Sequence, residues 1–212
     1  MAKKSPLMVL YHRLYQAYGP QDWWPADTPF EVMVGAVLTQ NTNWKNVEKA
    51  IHNLKRARAL RPKTIVNLEE ETLADYLRPS GYFNIKARRL RNLCEWLLEQ
   101  GGEKALQKWP TDKLRTGLLS VNGVGPETAD DILLYTFERP VFVIDAYTRR
   151  LLKRLELAGG DEDYETLRQF FEARLKPDVA LFNEYHALIV RHAKEKCVEA
   201  AGCRHCLVEK PL

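Results

Sequence analysis

Apolar residues recur at spacings of three and four along most of this chain, and that spacing predicts one helix after another. Phe30 to Leu38 is an almost unbroken apolar run that gives way to the polar stretch Gln40-Asn41-Thr42-Asn43. Val47, Ile51 and Leu54 mark one face of a helix. Leu68 to Leu77, Ala87 to Leu98, Leu114 to Val121, Tyr164 to Leu175 and Pro177 to His192 repeat the pattern. Thr111-Asp112 reads as a helix start, with Leu114, Leu118, Leu119 and Val121 on its buried face. Pro126 suits the first turn of the next helix. Beyond it Ala129, Ile132, Leu133, Thr136 and Phe137 fall on one stripe. Gly and Pro punctuate the gaps, at Gly19-Pro20, Pro79 to Gly81, Gly101-Gly102, Asn122 to Gly125, Arg139-Pro140 and Gly159-Gly160. The single strand-like run, Val141 to Ile144, cannot build a sheet alone. It reads as an extended connection into a helix that begins near Asp145. The expected fold class is all-α.

Composition narrows the picture. A chain of 212 residues, 45% hydrophobic, can bury a core in one domain or two small lobes. Ordinary Gly and Pro usage and the lack of an internal repeat exclude collagen-like, low-complexity and solenoid classes. A net charge of +4 permits a polyanionic partner without requiring one. No apolar stretch approaches the length that spans a bilayer. The basic-then-apolar start is interrupted by Tyr11, His12 and Arg13, and no small-residue cleavage site follows. A cytoplasmic location without a membrane partner is expected.

Two features carry candidate chemistry. Gly123-Val124-Gly125 joins two helices by a tight turn, which would aim the N–H groups of the second helix at an anion such as phosphate. A plain αα-hairpin is the other reading of such a turn. Asp145 starts a helix bearing Arg149, Arg150, Lys153 and Arg154. An Asp there caps the helix, and the positive helix end also favours its ionised form. Lys86, Arg88, Arg89 and Arg91 follow a Gly-Tyr-Phe-Asn turn, as phosphate contacts or as a solvated face. Trp23, Trp24, Pro25 and Trp44 concentrate aromatic surface near one end of the chain. Cys197, Cys203 and Cys206 cluster within ten residues, which in a cytosolic chain favours a metal or cluster over disulfides.

Taken together, Leu118 to Leu152 resembles the helix–hairpin–helix, Gly/Pro-rich loop and Asp motif of the endonuclease III superfamily of DNA glycosylases. Val34 to Ile51 and Arg78 to Leu90 resemble in particular the small bacterial 3-methyladenine DNA glycosylases of that superfamily. The resemblance covers nearly the whole chain. It implies a lobe over residues 25–139 containing the helix–hairpin–helix at about 111–138. A second lobe would join residues 1–24 to 140–212 and carry the catalytic Asp and the cysteine cluster, with DNA in the cleft between lobes. By the same resemblance Asp145 is the catalytic carboxylate and Gln40 fills the gap left by an extruded base. Trp24, Pro25 and Trp44 line the base pocket, and Gly123 and Gly125 meet phosphate, with Lys86 and Arg88 as added contacts. The partner would be damaged double-stranded DNA, bound by a monomer.

Glu127 stands where bifunctional members of the superfamily carry a Schiff-base Lys, two residues after the second Gly. A carboxylate forms no Schiff base. The reading is therefore a monofunctional glycosylase acting on alkylated purines such as 3-methyladenine. The alternatives are a bifunctional glycosylase/lyase on oxidised pyrimidines and a non-catalytic DNA-binding module. Many relatives hold a [4Fe-4S] cluster near the C-terminus through four Cys. Here the fourth is missing, Leu212 standing in its place, so Cys197, Cys203 and Cys206 form an incomplete set. A cluster, a zinc ion and a degenerate remnant remain open.

Overall fold

A computed structural model of the chain describes residues 5–196. Among these residues there are twelve α-helices and no strand, so the all-α class holds. No helix among them is long and apolar enough to cross a membrane. The chain divides into two compact units, Ala26–Arg139 and Met1–Pro25 with Pro140–Leu212.

The Ala26–Arg139 unit is built on α2 (Pro29–Leu38), whose residues 30–38 are all buried. A helix apolar on every side belongs in the middle of a core. Thr28 caps it by accepting the Glu31 N–H at 3.2 Å, with Pro29 at the first helical position. The amphipathic α3 (Trp44–Arg56) buries Val47, Ala50, Ile51 and Leu54. The helix expected over Leu68 to Leu77 begins at Glu70 as α5 (Glu70–Leu77), Leu68 being extended, and a further short helix, α4 (Pro62–Asn67), precedes it. Both pack on α6 (Phe83–Glu99). After the short α7 (Glu103–Leu106), α8 (Thr111–Ser120) leads into the glycine turn. Thr111 begins α8, but no side chain caps it. The hairpin's second helix is α9 (Pro126–Asp131), which widens into a π turn over Ile132–Thr136. That wider turn lets the consecutive Ile132, Leu133 and Leu134 all bury, which the expected single stripe does not provide.

The other unit centres on α12 (Val179–Glu195), against which α1 (Pro6–Tyr18) and α10 (Ala146–Arg154) pack. α1 shows the helical spacing Leu7, Leu10, Leu14 and buries all three. Phe142 stacks on Phe171 of α11 (Tyr164–Glu172) with ring centroids 3.9 Å apart and meets Phe182 and Tyr185 edge-on. Val141 to Ile144 is buried and extended, yet pairs with no strand. Side chains serve its backbone donors instead. Phe142 N–H reaches Glu172 Oε1 at 2.9 Å, and Ile144 N–H reaches the Tyr164 hydroxyl at 3.3 Å. A buried backbone donor needs a partner, and here a sheet is not required to supply it.

Candidate nucleic-acid and catalytic site

Asp145 follows the buried extended run and is the N-cap of α10. Its backbone is extended at φ −98°, ψ 178°, and Oδ1 accepts the Thr148 N–H at 2.7 Å. Oδ2 lies 3.5 Å from Nε2 of His186, a buried residue of α12. The Asp145 side chain keeps 12% of its surface exposed. Burial pushes its pKa up, but the hydrogen bond and charge of His186 and the bonds from Thr148 outweigh it and hold the carboxyl below the usual range. The group is thus an anion at neutral pH, held by two elements. The cap and the ionised carboxylate are one and the same arrangement.

The basic residues of α10 have structural partners. Arg149 donates to the Glu162 carbonyl at 2.6 Å, and Arg150 to the Ala193 carbonyl at 3.0 Å. Lys194 of α12 lies in the field of Asp145, and its ammonium sits 5.8 Å from the Trp23 ring centroid and 5.5 Å from that of Tyr147. Trp24 packs edge-on against Trp23 at 5.9 Å, next to an exposed Pro25. Trp24, Pro25 and Asp145 therefore share one unit. Trp44 belongs to the other, in the first turn of α3, where its Nε1–H donates to Glu48 at 2.9 Å.

The two glycines of the hairpin differ. Gly123 has φ +97°, and a Cβ there would lie well inside contact distance of the Arg89 side chain. Gly125 has an ordinary extended backbone, φ −89°, ψ 177°, and a Cβ there would meet nothing within 4 Å. Of the two glycines, only Gly123 needs the backbone freedom that glycine gives the tight turn. Gly125 is the N-cap residue of α9 and no side chain caps that helix. Gly125, Pro126 and Glu127 are exposed around it. The hairpin is stiffened from below by Arg115 of α8, whose guanidinium grips the fully buried Asp130 of α9 at 2.7 and 3.1 Å.

Gln40 follows the end of α2 with its amide engaged on both sides. Nε2 donates to Thr128 Oγ1 at 2.9 Å and to the Gly123 carbonyl at 3.3 Å, while Arg89 donates to Oε1. Asn92, one turn beyond Arg89 on α6, donates to the Asn122 carbonyl at 3.0 Å. One helix therefore braces the glycine turn at two points.

Lys86 requires a correction. It is 1% exposed, and its ammonium donates to the carbonyls of Leu38 and Ser80 at 2.9 and 2.6 Å. Burial, helped by the charge of Arg89, lowers its pKa to about 8. It pins the C-terminal end of α2, where a cation suits the helix dipole, and does not face phosphate. Arg88, two residues on, is exposed with Glu70 3.8 Å away. Arg91 donates to the Leu68 carbonyl at 2.6 Å.

Cys197, Cys203 and Cys206 lie outside the described residues. Cys94 is buried on α6, where burial pushes its thiol pKa up, the opposite of what a ligand thiolate needs. Among the described residues no cluster of His, Cys, Asp and Glu has the arrangement of a metal site.

The sequence reading missed His186, Arg89 and the Arg115–Asp130 pair. His186 carried a faint signal, a polar residue inside the apolar run of α12. Nothing in the sequence separates Arg89 from Arg88.

Comparison with known proteins bears on this arrangement. The model of the HhH-GPD superfamily of base excision DNA repair proteins matches residues 34–177. A Methanocaldococcus jannaschii protein named "Putative DNA repair glycosylase" is 46% identical over 98% of this chain and 96% of its own length. The endonuclease III of Sulfolobus acidocaldarius is 28% identical over 84% of this chain and 79% of its own. Among solved structures, the H. pylori 3-methyladenine DNA glycosylase bound to 1,N6-ethenoadenine superposes with a TM-score of 0.77. It is 32% identical, covering 91% of this chain and 98% of that one. A non-covalent endonuclease III–DNA complex, at 21% identity, shares the fold with a TM-score of 0.80 over 97% of this chain and 93% of its own.

Proposed function

The chain belongs to the HhH-GPD superfamily of base excision DNA repair proteins and is a DNA glycosylase, and from that premise we propose that it is a monofunctional enzyme releasing alkylated purines, 3-methyladenine above all, from duplex DNA. The observation that carries the proposal is Asp145, a carboxylate held ionised by Thr148 and His186 with 12% of its side chain exposed. Breaking an N-glycosidic bond builds positive charge on the sugar, and a carboxylate held ionised stabilises that charge and the incoming water. An alkylated purine is itself cationic and leaves readily, so no strong general acid is required. Aromatic faces such as those of Trp24 and Trp44 attract a cationic base by about 0.5–2 kcal/mol each. The likeness to the H. pylori 3-methyladenine enzyme supports this substrate class.

Glu127 supports hydrolysis without strand cleavage. It sits in the first turn of α9, exposed, where a Schiff-base Lys would be needed for the lyase step. The uncapped start of α9 receives a backbone phosphate, with Arg88 on the same unit as a further contact. Filling the duplex asks Gln40 to exchange its bonds to Thr128 and Arg89 for the orphaned base.

The test is incubation with methylated duplex DNA, identification of the freed base, and borohydride trapping in parallel. Free 3-methyladenine without a covalent adduct is expected. A trapped adduct with release of oxidised pyrimidines would replace this reading with the bifunctional one. No freed base from either substrate would reduce the chain to a binding module. For the cysteine cluster, we propose a [4Fe-4S] centre of structural role. Iron and sulfide content with the visible spectrum of fresh protein is the check, and a preparation free of both ends that proposal.

A further inference from the structure

The outward face of α3 carries a row of basic residues. Lys45, Lys49, His52 and Arg56 are spaced four, three and four residues apart and are all exposed. At 100° per residue they fall within one narrow stripe, opposite the buried Val47, Ala50, Ile51 and Leu54. Arg58 and Arg61 are also exposed, in the loop that follows. A shallow open groove runs along the stripe, lined by Lys45, Glu48, Lys49, His52 and Asn53.

What separates this row from an ordinary solvated helix face is that its basic residues form no ion pair with any described residue, the neighbouring Glu48 carboxylate being engaged by the Trp44 Nε1–H at 2.9 Å instead. Elsewhere in the same unit exposed or half-buried cations meet acids. Lys55 pairs with Asp27 and Glu31 at 2.8 and 2.7 Å, Arg78 with Asp75, and Arg88 lies near Glu70. Lys45, Lys49, His52, Arg56, Arg58 and Arg61 form no ion pair with any described residue. Uncompensated like charges on one rigid rod repel each other, and the arrangement gains most from a linear polyanion.

We propose that this stripe of α3 is a binding surface for the sugar–phosphate backbone of duplex DNA flanking the damaged nucleotide. The inference rests on the reading of the chain as an enzyme that works on duplex DNA. Trp44, assigned above to the base pocket, is the first residue of the same helix. The stripe therefore leads from the base-recognition end along the helix axis. From Lys45 to Arg56 it runs about 16 Å at 1.5 Å per residue, which matches the axial rise of about five phosphates of one strand. Contacts of this kind add affinity and register, not sequence preference.

The experiment compares two matched double variants with the full chain. K49Q/R56Q removes two charges from the stripe. K104Q/K108Q removes two exposed lysines from another part of the same unit. Affinity for an undamaged duplex is measured between 50 and 200 mM salt. Each phosphate contact contributes about 0.9 to the slope of log affinity against log salt. Two lost contacts shrink the fall in affinity across that range by roughly 12-fold. This is expected for K49Q/R56Q and not for K104Q/K108Q. Equal changes in both variants would mean a diffuse charge effect and overturn the proposal. An unchanged slope in K49Q/R56Q would overturn it as well, leaving the stripe to another partner such as an acidic protein. Base release from methylated DNA is scored separately. Its absence with an altered slope would sink the glycosylase assignment and leave the surface standing, and the reverse pattern would do the opposite.

Discussion

Two helix starts in this protein solve the same electrostatic problem in opposite ways. Both α9 and α10 begin with an extended N-cap residue and present unsatisfied N–H groups with the positive end of a helix dipole. At α10 the chain supplies its own anion, because Asp145 accepts the Thr148 N–H. At α9 the cap residue is Gly125, which has no side chain to offer and open space where one would be. The filled terminus keeps a carboxylate ionised in a half-buried place. The open terminus leaves its N–H groups for an anion brought from outside. On the function proposed above, the open start would grip the strand and the filled one would face the sugar.

The comparison breaks most sharply at Asp145. Asn caps helices as well as Asp does, so D145N should keep the fold while base release falls at least 100-fold. Single-turnover release and a melting curve measure the two separately, and equal losses in both would make Asp145 a structural cap only. The glycines provide the next test. G123A places a Cβ at positive φ against Arg89 and should cost about 2 kcal/mol or more in unfolding free energy by denaturant titration. G125A should fold normally and weaken DNA binding, because its Cβ intrudes only on an external ligand. If the two variants behave alike, the open terminus is not a binding element.

Smaller effects sharpen the account. Removing His186 as H186N takes away the largest influence opposing the burial of Asp145, so the carboxyl pKa should rise. The acid limb of the rate–pH profile should then move to higher pH. A limb that stays in place would assign the ionisation to Thr148 alone. Lys86 gives the mildest prediction. Its pKa is depressed to about 8 in the fold, against an ordinary value near 10.5. Its contribution is thus present above the ordinary value and lost as pH falls through 8. Stability should rise between those pH values and K86M should abolish that rise, as read by denaturant midpoints.

Much of this architecture was legible from spacing. The period of three to four located α3, α6, α8 and α12, because burying one face is what those helices do, and an unbroken apolar run located the wholly buried α2. The glycine turn and the cap at Asp145 were legible because each is a local requirement of the backbone. The periodic reading failed where the core overrides local preference. Leu68 is extended where a helix was expected to begin, and Ile132 to Leu134 bury together through a π turn.

The sequence by itself determined which faces turn inward and where the chain bends, since those depend on neighbours three or four residues away. Only the tertiary structure decided which polar groups meet. Lys86 and Arg88 differ by two residues, yet one is sealed between the carbonyls of Leu38 and Ser80 and the other is in solvent. Asp145 and His186 are 41 positions apart, and their approach to 3.5 Å is made by the packing of α10 on α12. Hydrophobic burial is a property of single positions and leaves a periodic trace. A buried hydrogen bond or ion pair belongs to two distant positions at once, and becomes visible only when the core has brought them together.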